Sequence, residues 1–189
     1  MMKFFSSITL VTLSSISLLA NDTANLTDVM QKGSASTKLL MQTLGKNMKM
    51  HMKQGGAMEA LDFCSQEAYN LTEAVNKKLP EGVSVKRVSL LTRNPVNTPS
   101  EDEKKVLQHL QELQENNESL PKRIVEKMDA HTYKFYKPLV IDNEACLKCH
   151  GDVQNEKLKA EILNRYPEDK AMGYKMGDIR GAVVTTVKK

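Results

Sequence analysis

The sequence of 189 residues lacks tryptophan and has only four phenylalanines, five tyrosines and three cysteines. Without an aromatic stacking platform or a cluster of basic residues, it carries no indication of nucleic-acid binding. No uncharged apolar run of 18 residues follows the N-terminus, which excludes a polytopic membrane protein. Charges of both signs are well mixed, the net charge is only +4, and the length suits one globular domain.

The N-terminal segment is typical of a secretory signal peptide. Lys3 supplies its positive start, residues 4–19 form its apolar stretch, and Ala20 is the small residue before a cleavage point. The alternative is an uncleaved anchor, which the short, Ser- and Thr-interrupted run favours less. We therefore predict a signal peptide over residues 1–20, a single domain over residues 21–189, a periplasmic location, and no integral membrane span after signal removal.

The hydrophobic pattern of the remaining chain predicts helices first and then mainly strands. Gly55 and Gly56 separate two stretches with apolar residues at helical spacing. The predicted helices cover about 26–54, 57–79, 100–115 and 155–164, and the predicted strands about 83–91, 123–128, 133–141 and 179–187. Pro138 argues for an edge position or a bulge in its strand. This order predicts an α+β fold, an antiparallel sheet flanked by helices with a long N-terminal helix.

A C-x-x-C-H motif occupies the segment that we predict to be a loop before the last helix. It runs from Cys146 through Cys149 to His150 and is the attachment signature of c-type haem. Two thiols one helical turn apart can both add to the vinyl groups of one porphyrin, and the adjacent histidine then becomes an axial ligand. A redox disulfide needs a different strand–helix context, and a zinc site needs a second ligand pair nearby. One motif predicts one covalent haem c.

The second axial ligand of the iron is less clear from the residues alone. The candidates are a methionine, such as Met172 or Met176, one of the other histidines, and Cys64. Cys64 lies on the apolar face of its predicted helix, so a buried core cysteine, an iron ligand and an intermolecular disulfide all stay open. The other histidines are His51, within a methionine-rich run that is a weak copper candidate, His109, on a charged helix, and His131, in a predicted turn.

Four blocks of the sequence, together spanning about residues 33–187, carry a resemblance to a known family. They are Gly56 to Cys64 with Ala68; Lys86 to Ser89 with Arg93 to Asn97; Tyr136 to Leu139 with the haem motif and Gly151; and Tyr166-Pro167 with Gly173 to Gly181. The sequence resembles the periplasmic or lumenal mono-haem c-type proteins with a PAS-like fold, which occur in cyanobacteria and as bacterial sensor input domains.

The resemblance implies a PAS-like fold and His150 and Cys64 as the two axial ligands of the haem. All three thiols would then be used, two by the vinyl groups and one by the iron. Lys86 departs from the family, whose members often carry a second arginine there, so a role of that position toward a haem propionate is in doubt. Arg87 and Arg93 are candidates for propionate contacts, with structural ion pairs as the alternative.

These observations predict a non-catalytic haem protein that acts in redox or gas sensing or in electron transfer, with a low potential. A signalling or redox protein partner is expected because the chain carries no output module of its own. The apolar stripe of the N-terminal helix is a candidate homodimer surface, with packing on the sheet as the alternative. The alternatives are an ordinary electron-transfer cytochrome with a methionine or histidine ligand and, less favoured, a peroxidase-type enzyme. A peroxidase needs an open distal site with an acid–base group, for which the sequence has no signature.

Overall fold

The computed structural model describes residues 14–189, with side chains from Asn25 onward. The predicted signal peptide, residues 1–20, lies outside the described residues except for the backbone of its end. The described helices are α1 (Ser14–Gln66), α2 (Ala68–Asn76), α3 (Glu101–Glu115), α4 (Glu144–His150) and α5 (Glu156–Arg165). The described strands are β1 (Val83–Val88), β2 (Ile124–Lys127), β3 (Thr132–Val140) and β4 (Ile179–Lys188). Within this part of the chain, no helix combines the length and the apolarity needed to span a bilayer.

The four strands form one antiparallel sheet in the order β1-β4-β3-β2. Strand β4 lies inside the sheet, and helices cover both of its faces, so its residues Ala182–Thr185 are all buried. Helix α3 packs on one face against Ala182 and Val184, while α1 and α2 pack on the other face against Val183. Successive side chains of a strand point to opposite faces, which explains why this strand is apolar on both. The predicted α+β fold with an antiparallel sheet and a long N-terminal helix is confirmed.

Helix α1 lies very close to the sheet at Gly33. A Cβ atom at this position would overlap the ring of Phe135 on β3. Val29 and Leu40, further along the same helix, are completely buried against the sheet. A residue without a side chain therefore allows the helix and the sheet to approach each other closely.

The predicted break at Gly55 and Gly56 is confirmed and folds α1 back on itself. Both glycines have non-helical backbone angles, and Gly56 has φ 70° and ψ −153°, a conformation that residues with side chains rarely adopt. The rings of His51 and Phe63 stack with centroids 4.9 Å apart, whereas twelve residues of straight helix span about 18 Å. The fold-back turns residues 57–66, which include Cys64, toward α4 and α5.

Apart from a break at Glu67 inside the helix predicted over about 57–79, the remaining element predictions are confirmed with one exception. Ser100 and Glu103 form the expected capping box of α3. Pro138 lies beyond the end of β2, which pairs only with Tyr133–Tyr136 of β3, and a register shift follows at Leu139/Val140. The missing N–H of Pro138 therefore leaves no β2 partner unpaired. The exception is the segment with the C-x-x-C-H motif, which is the helix α4 and not a loop.

Candidate functional site

The short helix α4 arranges the C-x-x-C-H motif. The side chain of Asn143 caps its N-terminus by accepting a hydrogen bond from the Ala145 N–H (2.8 Å), and the Gly151 N–H donates to the Leu147 carbonyl (2.9 Å) at its other end. Cys146 and Cys149 are three residues apart, so the helix presents both thiols on the same side. Asn143 and Gly151 are the local reason why this segment forms a helix instead of the loop that we predicted.

The imidazole of His150 is held in one tautomer. Its Nδ1 lies 2.8 Å from the carbonyl oxygen of Ala171, and a carbonyl only accepts hydrogen bonds, so Nδ1 carries the proton. Burial, together with the positive charges of Arg180 and Arg93, lowers the pKa of His150 to about 3. The ring is therefore neutral at neutral pH, and its Nε2 keeps a free lone pair. This is the arrangement that a histidine needs to bind a metal.

A buried ion pair fixes the segment that holds His150. Nε and Nη2 of Arg93 each lie 3.0 Å from a carboxylate oxygen of Asp169, and the two side chains are 10% and 0% exposed. Nη2 of Arg93 also donates to the Cys149 carbonyl (2.7 Å), and the Ala171 N–H donates to Asp169 (3.1 Å). The structure thus gives Arg93 the structural ion pair that was the alternative to a propionate contact.

Cys64 is exposed and does not belong to the hydrophobic core, so the interpretation as a buried core cysteine is wrong. Its neighbours on the predicted apolar face, Leu61 and Ala68, are buried as expected. Protein atoms still surround the thiol closely: burial raises the pKa of Cys64, the charges of Arg87 and Arg93 oppose that shift, and Cys149 adds to it. Cys64 is therefore exposed on one side and enclosed by protein on the other, within electrostatic range of Cys149.

Arg87 is a charged group in this region that has no counter-charge among the described residues. Its Nε is buried and has no hydrogen-bond acceptor among the described residues, and burial lowers the pKa of this arginine. A buried cation without a counter-charge is costly, so a site of this kind calls for a negative group that the described residues do not supply. A haem carries two negatively charged propionates, and one of them could supply the counter-charge of Arg87. Arg87 is therefore consistent with the cofactor predicted from the motif.

Lys86 points to the opposite face of the sheet from Arg87, as alternation along β1 requires. Its Nζ lies 2.9 Å from the carboxylate of Glu103 on α3, which is 1% exposed. Lys134 on β3 pairs with the same carboxylate at 3.0 Å. Lys86 therefore belongs to an ion-pair network on the α3 face and does not face the thiols.

The other candidate ligands lie in several different places. Met172 packs on an apolar cluster that Cys149 also contacts, and it directly follows Ala171, which binds the side of the His150 ring that faces away from Nε2. His51 is occupied, since it stacks on Phe63 and bonds Glu59 (3.0 Å). Met176 and His109 are exposed, with 48% of Met176 and 61% of the His109 side chain open to solvent. His131 is exposed and lies, as predicted, in the turn between β2 and β3.

Three contributors to the site were missed by sequence reasoning, namely the Ala171 carbonyl, Asp169 and Arg180. Asp169 and Ala171 lie in the loop after α5, and nothing in their local pattern marks them. Arg180 lies in the block Gly177 to Gly181 that carried the family resemblance, and this was the one available signal.

The fold and the site define an α+β protein in which a helical C-x-x-C-H motif and a cysteine from a distant helix come together beside one sheet. A family model described as Tll0287-like matches residues 16–188, so the chain belongs to this family. The family resemblance inferred from the four sequence blocks is thereby confirmed.

Among solved structures, the chain is similar in fold to the "cyanobacterial heme-protein Tll0287". The two share 20% sequence identity with a TM-score of 0.58, over 88% of this chain and 96% of the other. Among curated proteins, none matches. At this identity, the structural similarity supports the fold.

Proposed function

We propose that the protein binds one covalent haem c through Cys146 and Cys149, with His150 as an axial ligand, and acts as a redox protein. The observation that carries the proposal is the His150 geometry: a neutral ring, tied at Nδ1 to the Ala171 carbonyl, directly after two thiols on one side of a helix. The family membership and the printed description of the relative as a heme-protein support it. When bound, the haem supplies one-electron iron chemistry.

The residues around His150 prepare the ligand and do not react themselves. The Ala171 carbonyl fixes the tautomer of His150 and makes its Nε2 a stronger electron-pair donor to a metal. Arg93 and Asp169 hold Ala171 and the Cys149 carbonyl in place, so the ring and the second thiol keep a constant relative position. Arg87 supplies a positive charge to which a propionate can bind.

We assign the opposite side of the iron to Cys64. In support, the fold-back of α1 carries this thiol toward α4, the residue is exposed, and the positive charges of Arg87 and Arg93 partly offset the rise in the pKa of Cys64 that burial causes. A thiolate pushes electron density onto iron and lowers its potential, whereas a methionine raises it. We therefore propose a low-potential protein in which Cys64 binds ferric iron more strongly than ferrous iron.

For the biological role, we propose redox or gas sensing, or electron transfer, in the periplasm. The predicted signal over residues 1–20 would export the protein to an oxidising compartment. Free thiols tend to form disulfides there, so a bound partner for Cys64 suits this location. A six-coordinate iron leaves no open site at rest, which favours a carrier or sensor over an enzyme. A protein partner that receives the electron or the signal completes the proposal.

The first experiment tests haem attachment. The full chain is made in a host with a haem c maturation system, and its mass and absorption are compared with those of Cys146→Ser/Cys149→Ser made in the same way. We expect the wild type to gain the mass of one haem and to keep it after denaturation, while the double variant gains none. Colourless wild-type protein with no added mass refutes the proposal.

The second experiment tests the axial assignment with Cys64→Ala, the rival variant Met172→Leu and the exposed control Met176→Leu. We expect Cys64→Ala alone to lose the low-spin ferric spectrum and to raise the potential markedly, because it removes a thiolate from iron. An unchanged spectrum in Cys64→Ala, with a changed one in Met172→Leu, moves the ligand to methionine and favours an ordinary electron-transfer cytochrome.

A further inference from the structure

A cavity of about 350 Å³ lies on the α3 side of the sheet, and among the residues of the site described above Met172 and Arg180 line it. Leu107 of α3 and Ile179 of β4 contribute apolar walls, and the segment from Met172 to Tyr174 closes one side. Its volume is at the lower end of the range for small-molecule sites. Three charged side chains line it, namely Arg180, Glu115 and Asp178.

Arg180 lines this cavity, and one edge of its guanidinium has no hydrogen-bond partner among the described residues. Its Nη1 is engaged, since it donates to the Leu91 carbonyl (3.0 Å) and to the Ser89 hydroxyl. The structure has no hydrogen bond from Nε or Nη2 of Arg180 to any described residue, and neither atom is sealed from solvent. No described carboxylate lies within ion-pair distance of it. Nε and Nη2 form the fork with which arginine binds a carboxylate through two parallel hydrogen bonds.

The two acidic residues of the cavity already have donors of their own. The Asp178 carboxylate accepts from the Lys175 N–H (2.7 Å), and Glu115 accepts from the side-chain amide of Gln111 (3.0 Å). They leave Arg180 unpaired, but their charges disfavour a ligand with two or more negative charges. The combination of one free guanidinium fork, apolar walls and nearby negative charge selects a monoanion with an apolar body.

We propose that this cavity binds a small organic monocarboxylate, whose carboxylate pairs with Nε and Nη2 of Arg180 and whose apolar part contacts Leu107 and Ile179. The same chemistry has two sources, a diffusible carboxylate and a propionate of the haem, and we commit to the diffusible one. Binding of a carboxylate in this cavity does not depend on the function proposed above.

The cavity wall is also the segment that holds His150, which connects the two sites. Tyr174 contacts the Arg180 guanidinium on one side (5.3 Å to the ring centroid) and the His150 ring edge on the other (centroids 6.4 Å apart). The Tyr174 N–H donates to the His150 carbonyl (2.9 Å) and the Gly173 N–H to the Gly151 carbonyl (3.0 Å). A ligand that draws Arg180 toward itself therefore acts on the support of His150. This coupling to the iron rests on the proposed function.

The test uses butyrate and benzoate as probes, with butyramide and benzamide as neutral controls of the same shape. Calorimetry measures binding to the haem-loaded protein and to haem-free wild type made in the cytoplasm under reducing conditions. Arg180→Gln removes the fork, Gln111→Trp fills the cavity from its rim, and the exposed Arg123→Gln is the matched control. Circular dichroism verifies that each variant is folded. We expect at least about a tenfold weakening in the first two variants and no change in the third.

Hydrogen exchange of the Gly173 and Tyr174 amides in haem-free protein reports the coupling, and a ligand-induced shift of the haem absorption reports it in loaded protein. We expect slower exchange with butyrate and no effect in Arg180→Gln. Unchanged exchange in the wild type overturns the coupling.

The site itself is overturned if butyramide and benzamide bind as well as the acids, if Arg180→Gln still binds, or if neither the haem-loaded nor the haem-free form binds. If butyrate binds only to the haem-free form, a haem propionate occupies Arg180 in the loaded protein, and the proposal of a diffusible ligand is overturned. A chain that takes up no haem but still binds butyrate refutes only the proposed function.

Discussion

Replacing Asp169 with asparagine removes the counter-charge of Arg93 while keeping the size of the side chain. Both side chains are almost fully enclosed, at 0% and 10% exposure, and two hydrogen bonds of 3.0 Å join them. Breaking a buried pair by neutralising one partner costs about 3–5 kcal/mol, because the other charge stays buried without compensation. For a chain of this length, each kcal/mol lowers Tm by roughly 2–4 °C. We therefore expect a fall of about 6–20 °C in Asp169→Asn.

The assay is thermal and denaturant unfolding of the haem-free protein, with the exposed neighbour Glu168→Gln as the control for the same chemical change. The double variant Arg93→Met/Asp169→Leu, which removes both charges, is expected to recover much of the loss. If Asp169→Asn and Glu168→Gln unfold within about 0.5 kcal/mol of each other, the pair does not hold the loop and the reasoning is refuted.

Three further predictions concern the scaffold, and unfolding free energies test all of them. Gly33→Ala should destabilise the protein by about 1–3 kcal/mol, because its methyl group overlaps the ring of Phe135 on β3. Gly45→Ala on the same helix should stabilise it by up to about 1 kcal/mol, because the added Cβ meets nothing within 4 Å. If both variants change the free energy of unfolding in the same direction, the close packing at Gly33 is contradicted. Gly56→Ala should cost about 1–3 kcal/mol from its backbone angles alone, and a neutral result contradicts the fold-back geometry. Burial alone would raise the pKa of Glu103, but hydrogen bonds from two lysines and a backbone N–H bring this pKa below its ordinary value. The stabilisation by the Glu103 carboxylate is therefore present above the unfolded pKa of about 4.3. It is lost as the pH falls through the folded pKa. The deficit of Glu103→Gln should therefore be largest at pH 7 and shrink below pH 4, unlike that of the exposed Glu101→Gln.

Most of the scaffold was predictable because its signals are local. The paired glycines that end the first part of α1, the capping box at Ser100 and the alternation of the strands each depend on residues a few positions apart. The loop expected at residues 144–150 was wrong because seven residues are too few to show helical periodicity. Only the Asn143 cap and the Gly151 C-cap mark its ends, and both are also common in loops.

The setting of Cys64 was not predictable from its neighbours in sequence. Spacing placed it on the same face as Leu61 and Ala68, and both of those are buried. The fold-back at Gly55 and Gly56, together with the packing of residues 57–66 beside α4 and α5, leaves Cys64 exposed. Helical periodicity describes one helix at a time, whereas exposure depends on which elements meet it.

The amino-acid order alone specifies the covalent chemistry available to the chain: two thiols and an imidazole at fixed spacing, with a third thiol elsewhere. Its tertiary arrangement specifies how those groups are presented. The tautomer of His150, the enclosure of Arg93 by Asp169 and the free fork of Arg180 all depend on contacts between residues 21, 76 and 91 positions apart. Spacing along a chain constrains only neighbouring atoms, whereas charge, proton position and solvent access depend on everything within a few ångströms in space.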